Sequence, residues 1–243
     1  MNPSARKALG LLSLALWLPA SCAEAQSGAD ANAAANEYVR RLETALLLQT
    51  LNADLLSHDS ATVTLQRWCS AHALASPAQI TAERIRDAAT SPTEIQRQRL
   101  RVVPTDEVHY RKVRLRCGTI VLSEADNWYV PARLTPEMNK LLDTTDTPFG
   151  LAVQPLHFQR HTISAELLWQ PLASGWEMRP PSQVAAASKL CVPAQVLQHR
   201  ALLTLPDGTP FSEVVETYTG NVLAIARLGP APPCSPTGST AQP

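Results

Sequence analysis

The sequence predicts an α+β domain in which an antiparallel sheet of about six strands is covered by N-terminal helices. Three observations lead to this prediction. Apolar residues recur at helical spacing early in the chain, strand-like alternation dominates after residue 109, and an Asp-Gly turn at 207–208 joins the last two long strands. Helices followed by mostly antiparallel strands are typical of α+β domains.

The composition indicates a single globular domain outside the nucleic-acid-binding classes. The chain has 243 residues, with 21 Lys and Arg against 21 Asp and Glu, and 45% of its residues are hydrophobic. Because the charges balance, no overall field attracts nucleic acid, and we expect no such partner. Beyond the N-terminus no stretch is long and apolar enough for a membrane helix. We expect a monomer.

Residues 1–25 have the features of an export signal. Two basic residues at 6–7 are followed by an apolar run at 8–18, which is too short to span a bilayer, and by a small-x-small cleavage site at 23–25. Cys22 supports a lipoprotein as the alternative. We therefore expect an exported, periplasmic protein that contacts a membrane only if it is lipidated at Cys22.

The mature chain divides into three parts. Residues 26–36 are small and polar and are expected to be a disordered leader. Residues 37–228 form the folded domain. Residues 229–243 are rich in Pro, Ser, Thr and Gly, and are expected to be a disordered tail.

Four cysteines remain once the signal is removed, namely Cys69, Cys117, Cys191 and Cys234. An even number of cysteines in an exported chain predicts two disulfides, with three possible connectivities that the sequence leaves open. Buried free thiols are the alternative, most plainly for Cys117 on the core face of its strand. No CxxC pair or neighbouring His indicates a metal site, so we expect no metal.

Helical segments occupy most of the chain before residue 104. Asp59 or Ser60 can cap the segment that follows them, because their side chains accept hydrogen bonds from free amides. The segment at 61–75 could begin as a strand or a helix, and its later half looks helical. The predicted helical segments are 37–56, the later half of 61–75, 78–89 and 91–100.

The first clear strand begins at Tyr110 and places an arginine on its core face. Odd positions such as Val113 and Leu115 are apolar, and the even positions between them are charged, so the odd face points inward. Arg111 lies on that odd face. Burying a guanidinium without a partner costs several kcal/mol. We therefore expect a protein or ligand carboxylate at Arg111, or else a side chain that reaches water at the strand end.

The remaining elements follow in a mostly antiparallel order. They are a strand at 119–124 that continues extended through 127–131, a helix at 136–142, a turn at 146–150, a short helix or strand at 151–158, a strand at 163–170, a long loop at 171–193 with a helical patch at 184–189, a hairpin of 196–205 and 211–219, and a strand at 222–228. Glu216 shares a face with Val214 and Tyr218. Arg111 and Glu216 could therefore form an internal salt bridge.

Four segments, in this order along the chain, resemble the chorismate pyruvate-lyase family. They are Leu55-Leu56-Ser57-His58-Asp59-Ser60-Ala61-Thr62, the strand Tyr110-Arg111-Lys112-Val113-Arg114-Leu115, the turn Thr147-Pro148-Phe149-Gly150, and Asp207-Gly208-Thr209-Pro210 followed by Val215-Glu216-Thr217-Tyr218. The resemblance spans about residues 42–226. It implies a chorismate lyase-like fold, which also occurs as the effector-binding (UTRA-like) domain of some transcription regulators.

The resemblance also implies roles for particular residues. Arg111 would bind the ring carboxylate of the substrate, and Glu216 would act near the leaving ether oxygen. Phe149 would line the site, Ala61 would belong to its cover, and Asn127 would contribute to substrate binding. The implied reaction eliminates pyruvate from chorismate to give hydroxybenzoate, without a metal or an organic cofactor.

The chain also departs from this family. Phe149 replaces a leucine, and Asp126-Asn127-Trp128 stands where the family has Gly-Arg-Thr, so one cation is missing. Four residues could replace that cation: Arg133, Arg160, His199 and Arg200. Chorismate is cytoplasmic, whereas this chain has an export signal. The sequence therefore leaves two hypotheses: a lyase of this type, or an exported non-catalytic protein of the same fold that binds a small aromatic carboxylate.

Overall fold

A computed structural model describes residues 21–86, 89–185, 190–225 and 234. In chain order its elements are α1 (Ser21–Leu56), α2 (Ala61–Ala71), β1 (Ile80–Ile85), α3 (Glu94–Leu100), β2 (His109–Cys117), β3 (Ile120–Tyr129), α4 (Pro136–Thr144), α5 (Phe149–Ala152), β4 (Gln159–Leu167), α6 (Pro181–Ala185), β5 (Gln195–Thr204) and β6 (Pro210–Thr219). Short 3-10 turns lie at Pro131–Arg133, Gln154–Leu156, Trp176–Met178 and Gly220–Leu223.

Within the described ranges, six strands form one sheet in the order β1-β2-β3-β6-β5-β4. Every neighbouring pair is antiparallel. The predicted α+β class and the antiparallel sheet of about six strands are thus confirmed. The order puts β6 near the centre of the sheet and leaves β1 and β4 at its edges.

The inner face of the sheet carries the residues that the sequence predicts to face the core. Cross-strand pairing aligns them in rows: one contains Val113, Ala125, Glu216 and His199, and the next contains Arg111, Asn127, Val214 and Ala201. Arg111 and Glu216 are thus two strands and one row apart. The usual strand spacing and rise place their Cα atoms roughly 12 Å from each other.

Helices cover both faces of the sheet. Apolar residues of α1, α2, α4 and α5 join the inner face in one large core, for example Leu51, Leu65 and Leu142. On the opposite face, Leu100 at the end of α3 packs in a smaller core with Trp128. The inner face is therefore the one that can enclose a cavity.

Two predicted elements are wrong. Residues 80–85 of the predicted helix 78–89 form the edge strand β1. Pairing with β2 overrides the local preference, because it buries Ile80 and Ala82 and brings Glu83 to Arg116. At the start of the predicted strand 222–228, a 3-10 turn follows β6 and ends at Leu223, and residues 226–228 lie outside the described residues.

The ends of the chain differ from expectation or lie outside the described residues. Residues 26–36, expected to be a disordered leader, belong to α1. This stretch is rich in alanine, the best helix former, and continues the helix of residues 37–56. Residues 1–20 of the predicted signal, and the predicted tail apart from Cys234, lie outside the described residues. No described helix has the length and apolar character that crossing a bilayer requires.

Two disulfides join distant parts of the chain. Cys69 of α2 is bonded to Cys117 of β2, and Cys191, before β5, is bonded to Cys234. The prediction of two disulfides is confirmed, and Cys117 is bonded rather than a free thiol. The first bond ties α2, the helix behind the candidate site, directly to the strand that carries Arg111.

Candidate functional site

A small cavity lies on the inner face of the sheet, beneath residues 59–62 and 149–150, which we call the cover. Its volume is about 30 Å³, which is room for one or two water molecules. Apolar and polar side chains share its wall: the apolar ones include Phe149, Phe158 and Val214, and the polar ones include Asn127, Arg160 and Glu216. Segments from five strands and two helices therefore meet at one buried space.

The cover is built from two of the segments that carry the family resemblance. Ser60 caps α2, since its hydroxyl accepts a hydrogen bond from the amide of Val63 at 3.3 Å. Gly150, in the first turn of α5, lies directly against this cap. A Cβ atom at Gly150 would be 2.8 Å from Ser60 Oγ and 3.0 Å from Thr62 Oγ1. The two segments thus pack together without room for a side chain at position 150.

Glu216 forms an ion pair inside the cavity with Arg160 of β4. The distance from Arg160 Nη2 to Glu216 Oε2 is 2.5 Å, and the side chains are 4% and 9% exposed. The Tyr218 hydroxyl donates to the same oxygen at 3.1 Å. Burial opposes the charge of Arg160, but its attraction to Glu216 raises its pKa overall. The salt bridge suggested between Glu216 and Arg111 is therefore wrong, because Arg160 occupies that position.

Arg111 is buried beside the cavity rather than at its surface. It is 2% exposed, and its Nη2 donates to the carbonyl of Thr147 at 3.1 Å. In the described part of the chain, its Nε and Nη1 have no hydrogen-bond partner. Burial, followed by repulsion from Arg84, lowers its pKa. Arg111 does not reach water at the strand end, and two of its nitrogens are free for an acceptor.

His199 lies behind Glu216 in the same row of the sheet. Its Nε2 is 2.8 Å from Asn52 Oδ1 of α1, and an amide oxygen only accepts, so the proton is on Nε2. Its ring meets the Tyr218 ring edge-on at 5.6 Å. Burial lowers the pKa of His199 to about 4 despite the opposing effect of Glu216, so the ring is neutral at physiological pH.

The structure brings together most of the residues predicted for the site. Ala61, Asn127, Phe149 and Glu216 all line the cavity, whereas Arg111 lies behind its wall. The Phe149 ring also packs against Tyr129 and Phe211, at 5.4 and 6.4 Å between centroids. Phe149 is therefore both part of the aromatic core and a wall of the cavity.

Of the four residues considered as the missing cation, Arg160 is the one that lines the cavity. Arg200 binds Glu213, and Arg133 donates to the carbonyl of Leu100 at the end of α3. The sequence did not single out Arg160, because the strand was predicted to begin at 163 and the structure starts it at 159. In the described residues, no group of three or more His, Cys, Asp or Glu side chains could hold a metal ion.

Comparison with solved structures finds distant matches. The effector domain of PhnF from Mycobacterium smegmatis is 10% identical, with a TM-score of 0.45 over 67% of this chain and 90% of that chain. YydK from Bacillus subtilis, described as a possible transcriptional regulator, is 14% identical, with a TM-score of 0.35 over 57% of each chain. The alignment thus spans little more than half of YydK. TM-scores this low support no argument about this chain.

Comparison with known sequences gives a firmer result. No protein-family model matches the chain. The uncharacterized protein y4mC from Sinorhizobium fredii (strain NBRC 101917 / NGR234) is 51% identical over 184 residues, which are 75% of this chain and 78% of that protein. With this identity and coverage, the chain belongs to the same protein family as y4mC of Sinorhizobium fredii.

Proposed function

We propose that the protein binds a small aromatic carboxylate in the cavity beneath the cover. The observation that carries this proposal is the convergence of Asn127, Arg160 and Glu216 in a buried space with apolar walls. Small-molecule sites are usually apolar pockets with a few converging polar groups. A planar ring would pack between Phe149 and Phe158, and its acid group would meet a buried arginine.

Ligand entry requires the cover to move. The cavity of about 30 Å³ is far smaller than the roughly 300 Å³ at the lower end of small-molecule sites. The cover is connected to the edge strand β4 by a hydrogen bond from the amide of Arg160 to Asp59 Oδ1. Residues 59–62 belong to no strand, so we propose that this segment opens and enlarges the cavity.

Arg111 supports the binding of an anion next to it. Its two unpartnered nitrogens are buried, and its cross-strand neighbour Asn127 lines the cavity. A buried cation without a carboxylate partner is stabilised by an anion nearby. We propose that Arg111 raises the affinity for a carboxylate, which is the function that the family resemblance assigns to it.

The proposal is tested by calorimetric titration of the purified protein with benzoate, 4-hydroxybenzoate and 3-hydroxybenzoate. We expect at least one of these acids to bind and the corresponding amide to bind more weakly. Arg111→Met should weaken binding of the acid about tenfold, since it removes one buried cation. The matched control is Arg114→Met on the outer face of the same strand, which should leave affinity unchanged. If no aromatic acid binds, the proposal is wrong.

Chorismate lyase activity is the second candidate. It is favoured because all four segments of the family resemblance contribute to the wall or cover of one cavity, with the Glu216 carboxyl group inside it. Against it, Glu216 Oε2 is already bonded to Arg160 and to the Tyr218 hydroxyl, which leaves only Oε1 to contact a leaving oxygen. Incubation with chorismate should release hydroxybenzoate and pyruvate if the protein is a lyase, and Glu216→Gln should stop the release. If no product forms, binding without catalysis is the function that remains.

We further propose that the protein is exported and monomeric. The N-terminal 25 residues carry the features of a signal, and two disulfides are characteristic of oxidising compartments. Mass spectrometry of the protein isolated from its native host should find a mature N-terminus at Gln26, or at a lipid-modified Cys22. Light scattering after gel filtration should give the mass of one chain.

A further inference from the structure

The ion pair in the cavity balances the charge of Arg160 before a ligand enters. Arg160 and Glu216 are 2.5 Å apart and almost fully buried. Arg160 Nε is also buried, and the described part of the chain offers it no hydrogen-bond partner. The guanidinium can therefore donate a further hydrogen bond beside Glu216, while its charge is already balanced by that carboxylate.

We propose that the ligand carboxylate binds Arg160 beside Glu216, and that one proton is taken up from solvent and shared between the two carboxyl groups. This inference rests on the proposed binding function. Two carboxylates that meet one guanidinium in a buried space repel each other, and a shared proton removes one of the two negative charges. The proton then belongs to the pair rather than to either acid alone.

The ionisable side chains next to Glu216 supply no further positive charge. On β5, His199 is neutral because burial lowers its pKa to about 4. On β6, burial raises the pKa of Tyr218 well above its usual value, so it too is neutral. Asp59, before α2, adds a negative charge near Arg160.

A further cation, the Arg111 guanidinium, lies farther from Glu216. Arg111 of β2 is in the neighbouring row and donates to Thr147 of the loop after α4. The other contributors to the cavity wall from β3 and α5 include Asn127 and Phe149, which do not ionise. A carboxylate that enters next to Arg160 therefore lies beside the Glu216 carboxyl group, which is 2.5 Å from Arg160 and can share a proton with it.

Proton uptake makes affinity depend on pH in a characteristic way. Because the complex holds one proton more than its separate components, the association constant for a carboxylate should fall about tenfold for each unit of pH increase. We expect this slope from about pH 6 to about pH 8. A neutral ligand of the same shape brings no charge, and its affinity should be independent of pH.

The test is titration calorimetry of the whole purified protein with benzoate and with benzamide, in phosphate and in Tris buffer at the same pH. These buffers release very different heats when they lose a proton. We expect the benzoate heats to differ between buffers by the equivalent of about one proton per ligand, and the benzamide heats to agree. This comparison uses the unmodified protein, so it does not depend on whether a variant folds.

Two variants identify the group that takes the proton. Glu216→Gln should bind benzoate without proton uptake and with an affinity that no longer depends on pH. His199→Gln, which keeps the hydrogen bond to Asn52, should retain the uptake. Circular dichroism establishes beforehand that each variant is folded.

Three results would overturn the inference. Equal benzoate heats in both buffers would show that no proton is taken up. Uptake that disappears in His199→Gln and persists in Glu216→Gln would assign the proton to His199. If neither benzoate nor any other aromatic acid binds, the proposed function fails, and the proton coupling fails with it.

Discussion

The backbone amide of Arg160 donates a hydrogen bond to Asp59 Oδ1 at 2.9 Å. The residue whose side chain pairs with Glu216 inside the cavity thus also holds the cover in place through its main chain. Because β4 is an edge strand, its outer side has no neighbouring strand in the described sheet. The contact between Asp59 and Arg160 is therefore the point at which opening of the cover should begin.

Replacing Asp59 with alanine should loosen the cover without unfolding the domain. A hydrogen bond of this kind contributes about 1 kcal/mol, so local opening should become about fivefold more frequent. Hydrogen exchange measured by NMR should show faster exchange of the Arg160 amide. Asp207→Ala is the control, since it removes a similar bond, to the Thr209 amide, in the hairpin turn. Unchanged exchange at Arg160 in Asp59→Ala would mean that this bond does not restrain the cover.

Gly150→Ala should destabilise the protein because the new methyl group would lie 2.8 Å from Ser60 Oγ. Overpacking of this kind typically reduces the free energy of unfolding by about 1–3 kcal/mol. Urea denaturation of Gly150→Ala, Ser60→Gly and the double variant measures the coupling. We expect Gly150→Ala to be less harmful when Ser60 is already glycine. Strictly additive effects would show that the two positions do not clash.

A buried carboxylate on the opposite face of the sheet should depend on two arginines together. Glu213 is fully buried, and its Oε1 accepts hydrogen bonds from Arg99 at 3.2 Å and Arg200 at 2.8 Å. Each arginine is 35% exposed, so either alone can be lost at a cost of about 1 kcal/mol. Removing both leaves a buried charge unpaired, which should cost about 3–5 kcal/mol.

Urea denaturation of Arg99→Met, Arg200→Met and the double variant tests this expectation. The double variant should lose more stability than the two single variants combined. Arg114→Met serves as the surface control, because the Arg114 ion pair with Glu124 is more exposed than the Glu213 cluster. If the double variant loses only as much stability as the two single variants combined, Glu213 is stabilised by other groups.

His199 should make the protein less stable in mild acid. Burial lowers its pKa from 6.5 in the unfolded chain to about 4 in the fold. Between these two values the unfolded state binds more protons, so the free energy of unfolding falls as the pH falls from about 6.5 to about 4. The slope from one proton is at most about 1.4 kcal/mol per pH unit.

Thermal unfolding measured across this range should show that dependence, and His199→Gln should flatten it. His109→Gln is the matched control, since His109 is partly exposed at the start of β2. An equal flattening in both variants would show that burial of His199 is not the cause.

The sequence determined which side chains face inward. Alternation along a strand is a local property with a period of two residues, so the inward positions of Arg111 and Glu216 could be predicted from their neighbours alone. The cap at Ser60, the helix that begins at Pro136 and the Asp-Gly hairpin are local for the same reason, and the structure contains all three.

Only the tertiary structure decided which inward groups meet. Glu216 pairs with Arg160, from a strand that comes 56 residues earlier in the chain, because β4 lies two strands from β6 on the same side of the sheet. The edge strand β1 and the pairing of Cys69 with Cys117 likewise depend on the position of β2. Strand order is set by burial of the whole core, and no short stretch of sequence contains that information.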